Sequence, residues 1–330
     1  MIPIRHSYYI PKYDQFLEEF QKRIVSWLDG TDKKLSHKSQ ELAKLLYIRQ
    51  RFSLFKKLNF IRWIAYTPAN RLELLINNLE ILFKCGLSEE ETNNMAEALN
   101  IVFCHWGFDN KTFPKYALVE DTGVKCCPYC NRNFTVQYRY RNYQKQVDGK
   151  AQPELDHFYS KSSYPYLAIC CNNLVPCCNN CNGVHGKWNK DARIANLINP
   201  YELENADGIQ FRVDVESGAF LSMSEFEDGA SLSVEAIGPY KTQLDNNINI
   251  FHLNELYKKH IDYAAEIYYK GRLKYNPYYL SFLKHVLNDK TISKSDKYRL
   301  LLGVYTDEKD YGKRPLSKFC TDIAKQFGLI

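Results

Sequence analysis

The sequence predicts an α+β protein in which a short, cysteine-rich centre lies between two mainly helical regions. Apolar residues recur at helical spacing in the N-terminal part and again after about residue 249. Between these parts, residues alternate at the spacing of a β-strand, and eight of the eleven cysteines fall between Cys126 and Cys181. We therefore expect a helical N-terminal region (residues 1–117), a central domain (118–195), and a C-terminal region with a β-hairpin followed by helices (196–330).

The N-terminal region shows apolar stripes of the kind that a helix buries on one face. Ser88 and Glu91 have the spacing of a capping box, which predicts that a helix begins there. This region carries no pattern that indicates chemistry by itself. The stripes consist of Phe16, Phe20, Ile24 and Leu28, then Leu72, Leu75, Leu79 and Leu82.

Two later segments have the period of a β-strand. Val136, Tyr138 and Tyr140 alternate with polar residues, and we expect a turn at Asp148-Gly149 after them. Further on, QFRVDVESGAF predicts a strand that enters a turn at residues 216–218 and pairs with a segment near residues 232–237. Helices are expected from there to the end of the chain.

The composition is that of a globular protein with a mild positive charge. The formal net charge is +6, which suits nucleic acid without requiring it. No segment approaches 18 uninterrupted apolar residues, and the first residues lack the apolar core of a signal peptide. These features predict a cytoplasmic protein with no membrane contact.

The cysteine pairs allow two interpretations. Cys127 and Cys130 in CPYC, taken alone, resemble a redox dithiol. A second pair, Cys178 and Cys181, would complete a four-thiolate zinc site. Zinc is favoured because a redox dithiol needs a following helix, whereas the residues after Cys130 alternate like a strand. The remaining cysteines of this cluster are expected to be small buried hydrophobic residues: Cys126, Cys170, Cys171 and Cys177.

Between the two pairs lies a polar motif. It contains Asp156-His157 in ELDHF and Asn173 in NNLVP, and Asn182 follows Cys181 directly. With its framing cysteine pairs, the stretch from about residue 125 to 187 resembles an HNH nuclease of the ββα-metal type. The resemblance implies a zinc-stapled ββα-metal centre that hydrolyses phosphodiester bonds.

The residue types suit that chemistry. A neutral imidazole can take a proton from water, so His157 is the expected general base. Asp156 and Asn182 offer the oxygen ligands that magnesium or manganese prefers. The resemblance gives Asn173 a structural role, because its amide would hold the loop that orients the base. Asn182 replaces a more common histidine, and the role of His185, where a lysine is frequent in relatives, stays open.

Basic residues near the motif are candidates for contacts with phosphates. Arg139 and Arg141 alternate with tyrosines in the expected hairpin, which would suit backbone contacts and base stacking. The alternative is an ordinary strand face whose tyrosines lie in the core. Lys161 and Lys187 lie close to the motif in sequence and are the other predicted contacts.

A narrower resemblance covers roughly residues 120–260. It rests on CPYCNRNF, ELDHFYSKSSYPYLA, LINPYE and IFHLNELYKKH. These segments are similar to the HNH nuclease subunits of Septu-type antiphage defence systems and related retron-associated proteins. The resemblance implies a DNA-cleaving effector beside an SMC-like or ABC-type ATPase. RNA, including tRNA, is the second substrate considered, and a non-catalytic zinc-binding adaptor for nucleic acid or the ATPase is the rival function.

Overall fold

The computed structural model describes residues 1–142, 147–151, 153–206, 208–215, 222–273, 285 and 293–330; for residues 142 and 147–151 only the backbone is described. Its mixture of helices with small two-stranded sheets confirms the α+β class. The N-terminal helices are α1 (Pro11–Leu28), α2 (His37–Lys44), α3 (Leu46–Phe52), α4 (Leu58–Ala65), α5 (Leu72–Lys84), α6 (Glu89–Leu99) and α7 (Lys115–Thr122). A π-helical segment, Asn100–Phe108, continues α6.

The predicted apolar stripes form the interior of the N-terminal region. The four stripe residues of α1 are buried, and on α5 Leu72, Leu75 and Leu79 are buried while Leu82 packs at the edge of the core. The capping box of Ser88 and Glu91 is present at the start of α6 and confirms that prediction. The stripes therefore predicted correctly which helix faces pack together.

Two small sheets occupy the central region. Strand β1 (Tyr138–Asn142) pairs antiparallel with β2 (Val147–Ala151), and β3 (Glu154–His157) pairs antiparallel with β4 (Leu174–Cys177). A short helix, α8 (Asn179–Asn182), follows β4. The turn expected at Asp148-Gly149 is wrong, because these residues pair within β2 with Arg141 and Tyr140.

The C-terminal region begins with the predicted hairpin. Strand β5 (Ile209–Val215) pairs antiparallel with β6 (Ala230–Ala236), and α9 (Met223–Gly229) lies between them in sequence. The expected turn at residues 216–218 lies outside the described residues. Next come α10 (Lys241–Ile250), α11 (Leu253–Tyr257), α12 (Ile261–Leu273) and two further helices, Lys294–Leu302 and Ser317–Gln326.

Both helical regions pack directly on the centre. From the N-terminal side, the Tyr13 hydroxyl donates to the carbonyl of Ile169. From the C-terminal side, the Tyr257 hydroxyl donates to the carbonyl of Cys130 at 2.6 Å, and Phe251 stacks on Tyr129. One continuous cluster of buried apolar residues extends through all three regions. The centre is therefore supported from two sides, which compensates for how little apolar area two short strands and one helical turn bury by themselves.

None of the helices in the described part of the chain combines the length and the apolar character that crossing a bilayer requires.

Candidate functional site

The two predicted cysteine pairs meet in space. The sulfur atoms of Cys127, Cys130, Cys178 and Cys181 all lie within 4.8 Å of one another, and all four residues are buried. A tetrahedral zinc ion with Zn–S bonds of about 2.3 Å needs sulfurs roughly 3.8 Å apart. Cys130 and Cys178, whose Sγ atoms are 3.9 Å apart, already have that spacing.

Nearby N–H groups support the sulfurs as thiolates. The backbone N–H of Arg132 donates to Cys130, and the amide of Asn133 donates to Cys178, each at 3.4 Å. Hydrogen bonds from the other three thiols lower the pKa of Cys178, whereas burial raises the pKa of Cys127, so the cluster holds its first negative charge on Cys178. Because zinc binds the thiolate form, this set of donors fits a structural zinc ion.

The other cysteines of the central region do not join this cluster. Cys126, Cys170, Cys171 and Cys177 are fully or almost fully buried. Burial raises the pKa of Cys126 and that of Cys170 to about 12 each. These side chains are small buried hydrophobic groups, as the sequence predicted.

The backbone around CPYC also weakens the redox interpretation. After Cys130 the chain turns at Asn131, which has a φ of 50°, and Cys126 then pairs with Phe134 in an isolated antiparallel bridge. The next described regular element is the strand β1. A thiol activated at a helix N-terminus therefore has no such helix here.

Asp156 lies on β3 but is not a free carboxylate. Its Oδ2 accepts a hydrogen bond from the Tyr129 hydroxyl at 2.6 Å, and its Oδ1 accepts one from the ammonium of Lys187 at 2.9 Å. Lys187 also donates to the backbone carbonyl of His157 at 2.8 Å. The Asp156 side chain is thus buried and its charge is balanced by a lysine of the same chain.

His157 ends β3 and faces a different environment from Asp156, as adjacent strand residues must. Its ring meets Phe108 edge to face, with 4.4 Å between ring centroids, and its Nε2 lies 3.2 Å from the carbonyl of Ala168. A carbonyl only accepts, so Nε2 carries the proton and Nδ1 holds the lone pair of the neutral ring. Burial, followed by the nearby ammonium groups of Lys161 and Lys187, lowers the pKa of His157 to about 3.

Asn173 holds the loop between β3 and β4 at both ends. Its side-chain oxygen accepts from the backbone N–H of Tyr159 at 2.7 Å, and its amide nitrogen donates to the carbonyls of Tyr159 and Leu167. The residue is fully buried. Because Ala168 directly follows Leu167, these bonds also fix the carbonyl that holds the His157 ring.

The side chain of Asn182 bonds to Glu154, whereas the side chain of Asp156 bonds to Tyr129 and Lys187. The amides of Asn179 and Asn182 each donate to one oxygen of the exposed Glu154 carboxylate, at 3.0 and 2.8 Å. Sequence reasoning missed Glu154, although its position two residues before Asp156 on the same strand face was a usable signal. In this structure Asp156 and Asn182 are therefore not a pair of free oxygen ligands, because Asp156 is paired with Lys187 and Asn182 with Glu154.

Of the predicted phosphate contacts, one is buried and the others are at least partly exposed. Lys187 corrects the prediction, because it is fully buried in its pair with Asp156 and cannot reach a phosphate from there. Lys161 pairs with Asp109 at 2.8 Å on the surface. Arg139 and Arg141 are exposed, and His185 is exposed as well.

The tyrosines of β1 are on the surface. Tyr138 and Tyr140 are 58% and 47% exposed, and their rings lie side by side, with 6.1 Å between centroids. The alternative with these tyrosines in the core is therefore wrong.

A glycine explains how Lys187 reaches the interior. A Cβ atom at Gly186 would lie 2.3 Å from the carbonyl oxygen of Cys181 and 2.7 Å from that of Asn180. Only glycine lets the chain fold back this closely against α8. The N–H of Lys187 then bonds to the Cys181 carbonyl, which links the zinc-binding turn to the buried lysine.

One of the comparisons with known proteins found a relative. No family model matches the chain, and no solved structure matches it. The chain is 32% identical over 114 residues to the Septu protein PtuB of Bacillus thuringiensis. That match covers 34% of this chain and 37% of the other protein, so the two are similar over about a third of their lengths.

Proposed function

We propose that the chain is a metal-dependent HNH endonuclease that hydrolyses phosphodiester bonds of DNA in bacterial antiphage defence. The observation that carries the proposal is His157, a neutral, oriented imidazole at the end of β3. It belongs to β3, which pairs antiparallel with β4, and the short helix α8 that follows β4 carries Cys178 and Cys181 of the four-cysteine cluster at its start and within it. The similarity to the Septu protein PtuB supports the role in defence.

His157 is the proposed general base. With Nε2 bonded to the Ala168 carbonyl, Nδ1 is the atom that can accept a proton from water as it attacks phosphorus. A pKa of about 3 makes the ring a weak base in the free protein. The negative charge of a bound phosphate would oppose the effect of Lys161 and Lys187 and raise this pKa towards the working pH.

Asn173 is the proposed positioning residue. Its three hydrogen bonds hold the loop that carries Ala168, and the Ala168 carbonyl selects the His157 tautomer. A small error in this loop would turn Nδ1 away from the attacking water. Such positioning acts through geometry, with no contact to the substrate.

Zinc is the proposed structural ion, bound by Cys127, Cys130, Cys178 and Cys181. Magnesium or manganese is the proposed catalytic ion, which would stabilise negative charge on the phosphate. Asp156 and Asn182 are its proposed ligands, with Glu154 as a third candidate because it already contacts Asn182. In this structure the positive charge beside Asp156 is the ammonium of Lys187, so we assign no step to a metal ion.

A His157→Ala variant tests the proposal. We expect divalent-cation-dependent nicking of plasmid DNA by the parent protein and its loss in the variant, while zinc content and thermal stability show that the fold remains. Asn180→Ala, an exposed change on α8, is the matched control and should cut normally. Full cleavage by His157→Ala would remove this residue as the base.

The same assay separates the other functions. Cleavage of RNA or tRNA in preference to DNA would make RNA the substrate. A non-catalytic adaptor is favoured by one observation, the pairing of Asp156 with Lys187 and Tyr129. It predicts binding of nucleic acid without turnover under every metal tested.

The proposed partner is an SMC-like or ABC-type ATPase, which the resemblance to Septu-type systems implies. Copurification of the chain with proteins of its native host tests the pairing. Recovery of the chain without an ATPase, under conditions in which it remains folded, would contradict this part of the proposal.

A further inference from the structure

A cavity of about 780 Å³ lies in the N-terminal region, where the sequence indicated no chemistry. Residues at the start of α1 and residues 109–116 line it. Its size is within the range of sites that bind ligands of a few hundred daltons, such as one or two nucleotide units.

Three lysines give the cavity a positive lining. Lys12 and Lys111 are exposed and Lys115 is half-buried. Within the part of the chain that the structure describes, none of the three forms a salt bridge with a carboxylate. Of the two acidic residues in the lining, Asp109 is paired with Lys161 at 2.8 Å, and Glu19 faces the cavity from α1. The net positive charge of the lining favours the binding of an anion.

The ring of Phe108 contacts both Lys115 of the cavity lining and His157. The ammonium of Lys115 lies 3.9 Å from the ring centroid of Phe108, and that of Lys161 lies 5.1 Å from it. The edge-to-face contact of His157 is with the same ring. A chain of phosphates that followed these ammonium groups would therefore pass within one aromatic ring of the proposed base.

Strand β1 contacts one residue of the cavity lining. The guanidinium of Arg139 lies 5.0 Å from the ring centroid of Tyr116, which lines the cavity. Tyr138 and Tyr140 point to the opposite face of the strand and are exposed. A basic lining beside exposed aromatic rings is the combination that binds a nucleic-acid strand.

We infer that this lysine-lined cavity, which we call the phosphate groove, binds the sugar–phosphate backbone of the strand that is cut at His157. The inference rests on the proposed nuclease function and adds substrate contacts from residues far from the HNH-like motif in sequence. DNA and RNA share this backbone chemistry, so the groove by itself does not choose between them.

The test is a binding measurement on the full chain without added divalent cation, so that cleavage does not interfere. Fluorescent single-stranded DNA, duplex DNA and RNA of roughly 20 nucleotides serve as probes. The variant combines Lys12→Gln, Lys111→Gln and Lys115→Met, where methionine keeps the packing on Phe108. The control combines Lys22→Gln, Lys34→Gln and Lys57→Gln, three exposed lysines that do not line the groove.

We expect the groove variant to bind at least about tenfold more weakly. The slope of log affinity against log salt concentration should also be shallower, by the amount that corresponds to the loss of about two phosphate contacts. The control variant, with the same loss of charge, should bind like the parent protein. Equal weakening in both variants, unchanged binding by the groove variant, or no binding by the parent protein would each overturn the inference.

Cleavage separates the two proposals. If the parent protein cuts, the groove variant should raise KM and leave kcat nearly unchanged, because it removes binding that is uniform between substrate and transition state. His157→Ala should bind normally and fail to cut. A protein that binds through the groove yet never cuts would refute the proposed nuclease function and keep the groove.

Discussion

The ammonium of Lys187 bonds to Asp156 at 2.9 Å and to the carbonyl of His157 at 2.8 Å, deep in the centre of the protein. One lysine thereby contacts both residues of the Asp-His pair. The Phe158 ring lies 5.8 Å from the same ammonium. The ion pair of Lys187 and Asp156 is shielded from solvent, so its contribution to stability depends on these two partners and little on the salt concentration.

Removing the Lys187 ammonium should strongly destabilise the protein. Lys187→Met leaves Asp156 as a buried carboxylate with only the Tyr129 hydroxyl, and we expect a loss of about 3 kcal/mol in the free energy of unfolding. Urea unfolding followed by circular dichroism measures it. Adding Asp156→Asn should restore part of the loss, because the unpaired charge is then gone.

Lys161→Met provides the matched control for that variant. Lys161 also pairs with an aspartate, Asp109, but on the surface, so its removal should cost at most about 1 kcal/mol. Equal losses in the two variants would contradict a special role for the buried pair.

Zinc should be tightly bound and necessary for the fold of the centre. We expect one zinc ion per chain by elemental analysis and a large drop in melting temperature after treatment with a strong chelator. Cys178→Ser should lose the zinc. Cys126→Ala should keep it, since Cys126 lies outside the four-cysteine cluster, and loss of zinc from this control would redefine the ligands.

The buried ring of His157 should make stability depend on pH. Its pKa is about 3 in the folded protein and about 6.5 when unfolded, so between these values the unfolded state binds more protons. The stability that the neutral ring contributes is complete above pH 6.5 and is lost as the pH falls towards 3. The difference in melting temperature between pH 7 and pH 5 should therefore be smaller in His157→Gln than in the parent protein.

The exposed His105 supplies the comparison for the pH experiment. His105→Gln should keep the pH dependence of the parent protein. A His157→Gln variant with the same dependence as the parent would show that this ring does not titrate as burial predicts.

Asn173 should affect turnover more than zinc binding. Asn173→Ala removes three hydrogen bonds in a fully buried site, at a cost of about 3 kcal/mol in unfolding free energy. We expect kcat to fall while KM changes little, because the base loses its orientation. Asn172→Ala, which removes one bond to the carbonyl of Thr67, should cost about 1 kcal/mol and leave kcat near normal.

Glu154 and Asn182 should control the metal requirement. We expect Glu154→Gln and Asn182→Ala each to raise several-fold the magnesium or manganese concentration that gives half-maximal cleavage. Asn180→Ala on the same helical turn should not change it. An unchanged requirement in Asn182→Ala would remove this residue from the proposed ligands.

Local patterns in the sequence were enough for much of the fold. The stripe from Phe16 to Leu28, the capping box at Ser88 and the pairing of β5 with β6 depend on periodicities of a few residues. The prediction of a turn at Asp148-Gly149 was wrong. An Asp-Gly pair favours a turn without forcing one, and pairing with β1 gives these two residues a strand conformation.

The sequence by itself determined the α+β class, the two cysteine pairs and the motif around Asp156 and His157. Tertiary structure alone decided which groups these side chains meet. Lys187 is basic and close to the motif, which predicts a surface contact, yet Gly186 lets the chain fold back and bury it. The phosphate groove likewise combines Lys12 with residues 109–116, because packing joins segments that local spacing cannot relate.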